Sequence, residues 1–165
     1  MGKDMRNIVL IGMPGVGKTT VAKLLQEKTG MPHYEIDREI EKSMKMTIPE
    51  IFDKYGEQGF RQFESASLSK FASKEGGIID TGGGAVTTVC NRPMIQKNAR
   101  VYWINRPLES LATEGRPLSQ GGLERLREIY KLREPLYKNF SDVAVENTTP
   151  EACAQAILED FKASK

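Results

Sequence analysis

The chain has 165 residues, enough for one domain with a substantial core of its own. Its 24 lysines and arginines nearly balance 22 aspartates and glutamates, leaving a formal net charge of +2. Such a balance argues against nucleic acid or an anionic membrane as the main partner. No apolar run approaches the roughly 20 residues needed to cross a bilayer. The polar start Met1–Arg6 does not read as a signal peptide, and Cys90 and Cys153 show neither metal nor disulfide spacing. The expectation is one cytoplasmic domain over 1–165 with its core in 6–161.

Asn7–Ile11 is a short apolar run that reads as a buried strand. Gly12-Met13-Pro14-Gly15-Val16-Gly17-Lys18-Thr19 follows it and fits G-x-x-x-x-G-K-[ST]. A helix is predicted next, over 20–28, with Gly30 as its stop. Gly12, Gly15 and Gly17 let consecutive N–H groups turn inward at a helix N-terminus, where anions collect. With Val16 and Thr20 they would line a triphosphate site. Lys18 would reach the β- and γ-phosphates, and the Thr19 hydroxyl would ligate Mg²⁺. Between a strand and a helix, the whole pattern is specific for a nucleoside triphosphate.

A second strand is expected at His33–Ile36, ending at Asp37. His33, the single histidine, reads as an edge or surface residue rather than a base. Helices are predicted at 38–46, from the Thr47 cap and Pro49 to about Tyr55, and over 60–73, with breaks at Gly56 and Gly59. Arg61 and Glu64, three apart, share a face as either a surface pair or a pair with work to do. Ile78–Asp80 reads as a third strand. The Thr81-Gly82-Gly83-Gly84 run after it demands a very tight turn or a close neighbour. A helix over 88–97, a strand over 100–104 and a short helical piece after Pro107 come next. Residues 113–122, glycine-flanked around Arg116, resemble a mobile lid. A charged helix over 123–134 is expected to end at Pro135. A strand at 143–145, a loop containing Thr148 and a helix over 150–161 complete the chain.

Strands alternating with helices predict an α/β fold, a parallel sheet with helices on both faces. Ligands then gather beyond the C-terminal strand ends, where Gly12–Thr19, Asp37 and Thr81–Gly84 all fall. Asp37 is the best carboxylate for a small hydroxyl acceptor. Glu35, two residues earlier in the strand, would share its face. The two could divide work between Mg²⁺ and acceptor, or simply cap the next helix.

Gly12–Thr19, Glu35-Ile36-Asp37-x-x-Ile40-Glu41, Gly56-Glu57-x-x-Phe60-Arg61-x-x-Glu64, Thr81–Gly84, Arg116-Pro117-Leu118 and Arg133-x-Pro135-Leu136-Tyr137 together resemble the shikimate kinase family. The resemblance runs from residue 6 to about 160. It implies a P-loop fold like that of nucleoside monophosphate kinases, a five-stranded parallel sheet ordered 2-3-1-4-5 with a substrate-binding helical region about 38–62 and a lid. It also implies phosphoryl transfer from MgATP to the shikimate 3-hydroxyl in aromatic amino-acid biosynthesis, by a monomer. Asp37 would hold the shikimate hydroxyls and serve as base, Arg61 and Arg133 would hold the carboxylate, and Glu64 would orient Arg61. Gly82, Gly83 and Gly84 would offer backbone N–H groups to the acceptor. Arg116 would close onto the phosphates during transfer, and Thr148 would border adenine.

The chain departs from that family in three places. Glu35 replaces the usual aspartate that reaches Mg²⁺ through water. The arginine that stacks on adenine shortly before the lid is missing from 108–115. Asp80 stands where a small residue is common, and could be an acid near Mg²⁺ or the cap of the next turn. A kinase for another polyol or sugar acid such as gluconate, a GTPase switch and a regulatory nucleotide-binding module are the competing readings. No Asn-Lys-x-Asp guanine reader supports the GTPase.

Overall fold

A computed structural model describes residues 4–112 and 122–165. Among these, the strands are β1 (Asn7–Ile11), β2 (His33–Glu35), β3 (Ile78–Asp80), β4 (Ala99–Asn105) and β5 (Val143–Glu146). They form one parallel sheet in the order β2-β3-β1-β4-β5. All five residues of β1 are buried, as a central parallel strand covered on both faces requires. Helices α1 (Lys18–Thr29), α2 (Ile36–Met44), α3 (Ile48–Ala72), α4 (Asn91–Gln96), α5 (Leu108–Ala112), α6 (Gly122–Phe140) and α7 (Pro150–Ala163) surround it. The expected lid over 113–122, with Arg116, lies outside the described residues except for Gly122, where α6 begins.

Local chemistry sets most boundaries. Thr47 accepts from the Glu50 amide while the Glu50 carboxylate accepts from the Thr47 amide, a complete capping box at the start of α3. Thr149 caps α7 in the same manner through the Ala152 amide, with Pro150 as first residue. Gly30, at φ 75°, closes α1 through a bond from its N–H to the Gln26 carbonyl.

Gly56 breaks the helix as expected, with φ 73° and ψ 178°. Three expectations need correction. Helical structure resumes directly after Gly56, and Gly59 breaks nothing. At Gly59 a β-carbon would stand 2.5 Å from Tyr55 Cβ, so the glycine serves packing just beyond the kink. Helix α6 runs straight through Pro135. Buried Leu126 before the proline, and Tyr137 and Phe140 after it, tie both halves of α6 to the core, which offsets the one lost backbone bond. The third concerns Asp37. Helix α2 starts at Ile36, so Asp37 belongs to its first turn, and the shared-sheet-face argument linking it to Glu35 does not apply.

Candidate active site

The β1–α1 connection wraps around the Lys18 ammonium. Lys18, 8% exposed, donates from Nζ to the carbonyls of Gly12 (2.7 Å) and Met13 (3.0 Å). Gly12, Gly15 and Gly17 have φ of 149°, 90° and 98°, values that L side chains rarely adopt. The loop is locked by Asn147, just after β5, whose Nδ2 donates to the Val16 carbonyl at 2.7 Å. A β-carbon on Gly17 would lie 2.6 Å from that nitrogen. Sequence reasoning passed over Asn147, treating it as part of a connecting loop.

Beside the loop opens a cavity of about 300 Å³ lined by Lys18, Thr19, Thr20, Glu35, Asp37, Asp80, Thr81, Gly82 and Gly83, among others. Asp80 ends β3 and is paired in register with Glu35 of β2. Its Oδ2 accepts the Thr19 hydroxyl at 2.7 Å. Asp37 comes from the first turn of α2, and its Oδ1 is buried without a hydrogen-bond partner. Burial pushes the Asp37 carboxyl above its ordinary pKa; Arg38 and Lys18 pull it down, while Asp80 and Glu35 add to the rise.

The glycine run after β3 explains itself by its neighbours. Gly82 faces Asp37 and Glu64, and a β-carbon there would lie 2.9 Å from Asp37 Oδ1 and 3.3 Å from Glu64 Oε2. Gly83 presses on Pro14 of the phosphate loop. Gly84 lies under the Arg61 guanidinium, where a β-carbon would meet Arg61 Nη2 at 2.3 Å. Glycine is thus needed because side chains of the cleft occupy the space a β-carbon would take.

Beyond this run stands the cationic part. Arg61 Nη1 donates to Glu64 Oε1 at 2.9 Å, and Glu64 is wholly buried with its Oε2 unpartnered. This is no surface pair. Burial raises the Glu64 pKa, Arg61 opposes the rise, Asp37 adds to it and Arg133 again lowers it. Tyr137, one helical turn after Arg133, donates its hydroxyl to the Gly83 carbonyl at 2.7 Å. Burial pushes that phenol up to about 12, with Arg133 pulling against the shift. Asp37, Glu64, Arg61 and Arg133 therefore meet around Gly82–Gly84, with Asp37 lining the cavity that holds Lys18.

A second cavity of about 330 Å³ lies on the other side of the loop, lined by Gly15, Gly17, Thr20, Arg106, Asn147, Thr148 and Pro150. Arg106 Nη1 donates to the Gly15 carbonyl at 3.3 Å. Arg106 drew no notice in the sequence because it precedes residues 108–115. His33 lies on edge strand β2, as one of its two expected positions had it, but not at the surface: its side chain is only 10% exposed, and Nε2 stands 3.6 Å from Asp80 Oδ2. Its contact partner was invisible because it depends on β2–β3 register.

A parallel sheet ordered 2-3-1-4-5, with a phosphate loop after its central strand and a carboxylate-lined cleft at the same strand ends, defines a P-loop kinase of small molecules. The Shikimate kinase family model matches residues 14–162. A shikimate kinase of Thiobacillus denitrificans is 39% identical over 147 residues, covering 85% of this chain and 80% of that protein. One from Pseudomonas paraeruginosa is 37% identical over 167 residues, covering 96% and 97%. The structure of the Acinetobacter baumannii shikimate kinase in complex with shikimate superposes with a TM-score of 0.91 at 34% identity, covering 98% of this chain and 95% of that one. The chain belongs to the shikimate kinase family, ATP-dependent enzymes that phosphorylate a hydroxyl of shikimate. A gluconokinase of Sinorhizobium meliloti, at 15% identity and a TM-score of 0.62, shares the fold alone.

Proposed function

We propose that this site transfers the γ-phosphoryl group of MgATP to the 3-hydroxyl of shikimate, with Asp37 as the group that orients and deprotonates that hydroxyl. The observation that carries the assignment is Asp37 itself: a carboxylate with an orphaned oxygen, its pKa raised by burial, in the same cavity as Lys18. A raised pKa makes a carboxylate a better proton acceptor, and its position supplies the orientation that phosphoryl transfer chiefly needs. Lys18 neutralises the terminal phosphates. Gly12, Gly15, Val16, Gly17, Thr19 and Thr20 cradle the triphosphate, and Thr148 borders the base. Arg61, held by Glu64, and Arg133 take the shikimate carboxylate, for which a guanidinium fork is the matching donor. Arg116 is the lid cation in this reading.

The residues also suit Mg²⁺. A nucleotide-bound Mg²⁺ needs only one or two protein oxygens beside phosphate and water, so a three-ligand cage, absent among the described residues, is not required. Thr19 would hold the ion directly, with Glu35 and Asp80 the two candidates for acidic support through water. The ion supplies charge neutralisation at the phosphates.

In this reading the enzyme acts as a monomer on small molecules in the cytoplasm. A coupled assay of ADP release with shikimate, quinate and gluconate, each against ATP and GTP, tests the reading. Turnover of shikimate with ATP far above the other pairs is expected; preference for gluconate or quinate would overturn the acceptor assignment.

A further inference from the structure

One contact at the cleft is not explained by the transfer as described: the grouping of His33 and Asp80 behind Thr19. Asp80 is 4% exposed, and its Oδ2 accepts a hydrogen bond from the Thr19 hydroxyl at 2.7 Å. His33 Nε2 is buried, has no hydrogen-bond partner, and stands 3.6 Å from that same oxygen. The neighbouring carboxylate behaves differently. Glu35 has a 30% exposed side chain, and its Oε1 lies 3.4 Å from Arg38 Nε, a cation on the outside of α2.

A threonine hydroxyl has one proton and two lone pairs. Donating the proton to Asp80 fixes the hydroxyl rotor and turns the lone pairs away from the carboxylate. Those lone pairs are what a metal ion at Thr19 would use. We infer that Asp80, braced by His33, positions the Thr19 hydroxyl for the metal, and that this pair rather than Glu35 is the acidic support of the metal site in this chain. The inference rests on the reading of the cleft as a metal–nucleotide site. Asp80 and His33 act through Thr19 and are positioning residues. Carboxylates that orient a metal ligand from behind typically change metal affinity about 10- to 100-fold when removed.

The test is Mn²⁺ binding to the ADP complex by electron paramagnetic resonance, with ADP affinity in EDTA measured in parallel by calorimetry. Asp80→Ala is expected to weaken Mn²⁺ about 10- to 100-fold while leaving metal-free ADP affinity unchanged. His33→Leu should move Mn²⁺ affinity in the same direction by less, and Glu35→Gln should leave it near wild type. Wild-type Mn²⁺ affinity in both Asp80→Ala and His33→Leu would overturn the inference and leave the nucleotide reading intact. So would equal losses with and without metal, the mark of a purely structural role, or a larger loss in Glu35→Gln than in Asp80→Ala. If the unaltered protein binds ADP no better with Mn²⁺ than without, the metal–nucleotide reading itself fails, and the inference falls with it.

Discussion

The two edges of the sheet that run across the strand ends treat charged side chains in opposite ways. At the N-terminal edge, Arg100 of β4 is joined to Asp160 of α7 by two hydrogen bonds of 2.8 and 3.2 Å, and the Tyr102 hydroxyl donates to the same carboxylate at 2.7 Å. Arg6, just before β1, pairs with Asp4 and reaches the Phe161 carbonyl. Both carboxylates are held below their ordinary pKa, Asp160 chiefly by Arg100 and Asp4 chiefly by Arg6. At the C-terminal edge, Asp37 and Glu64 are pushed up by burial. Asp37 Oδ1, Glu64 Oε2, Arg61 Nε and His33 Nε2 are all buried without partners. One edge is satisfied and holds the fold; the other leaves hydrogen-bonding capacity open, which is where a polar ligand finds its partners.

The sharpest break of this contrast is Lys18→Ala. Lys18 sits on the ligand-facing edge, and its loss is expected to abolish phosphoryl transfer in a coupled assay while the protein still melts cooperatively. Next comes Asp37→Asn, for which kcat should fall about 10²-fold or more if the carboxylate takes the proton. Stability should move the other way. Because the folded state raises the Asp37 pKa, its ionised form opposes folding above that pKa, so the variant should melt higher at neutral pH. That gain should begin to shrink as the pH falls through the raised pKa and be gone below the ordinary carboxylate range, where both states are neutral. Thermal melts from pH 4 to 8 check the sign.

A smaller effect is expected on the acceptor side. Arg133→Ala should raise the shikimate KM roughly 10- to 100-fold, the worth of a charged hydrogen bond, with the ATP KM little changed. Gly84→Ala should act similarly by displacing Arg61, since the new methyl would fall at 2.3 Å from Nη2. The arginine tip is flexible and can move aside, so the fold should tolerate the change and steady-state kinetics should register it. An increase confined to the ATP KM would assign these arginines to the nucleotide.

The donor half of this arrangement could be read from the chain because a phosphate loop is local: Gly12 to Thr19 carry their geometry in consecutive residues. The parallel sheet was equally legible, from apolar runs alternating with helical stretches, and its strand order followed from the family resemblance. What could not be read depends on contacts between distant segments. Pro135 looks like a helix end until Tyr137 and Phe140 are seen buried after it. His33 looks bland until β2–β3 register sets it opposite Ile78, with Asp80 two residues further on and within 3.6 Å of its Nε2. Gly82 and Gly84 signalled a close approach, but not that Asp37, Glu64 and Arg61 make it. Asn147 had no local signature, since its role is to hold a loop far away in sequence.

The weakest expected effect on activity belongs to the satisfied edge. Asp160→Ala removes the acceptor of Arg100 and of the Tyr102 hydroxyl, and Tyr102 is fully buried. Leaving buried donors unmatched destabilises by about 1–3 kcal/mol, which lowers Tm by roughly 2–4 °C per kcal/mol in a domain of this size. The folded state lowers the Asp160 pKa, so its stabilisation is complete above the ordinary carboxylate range and is lost as the pH falls through the lowered value. The gap between variant and wild type should therefore be widest near neutrality and close in acid, the reverse of the variation expected for Asp37→Asn. Shikimate and ATP kinetics at 25 °C should stay at wild-type values, because no atom of this cluster lines either cavity at the phosphate loop. A Tm gap that instead widened in acid, or a kcat that fell with Tm, would mean that the two edges are energetically coupled through the sheet.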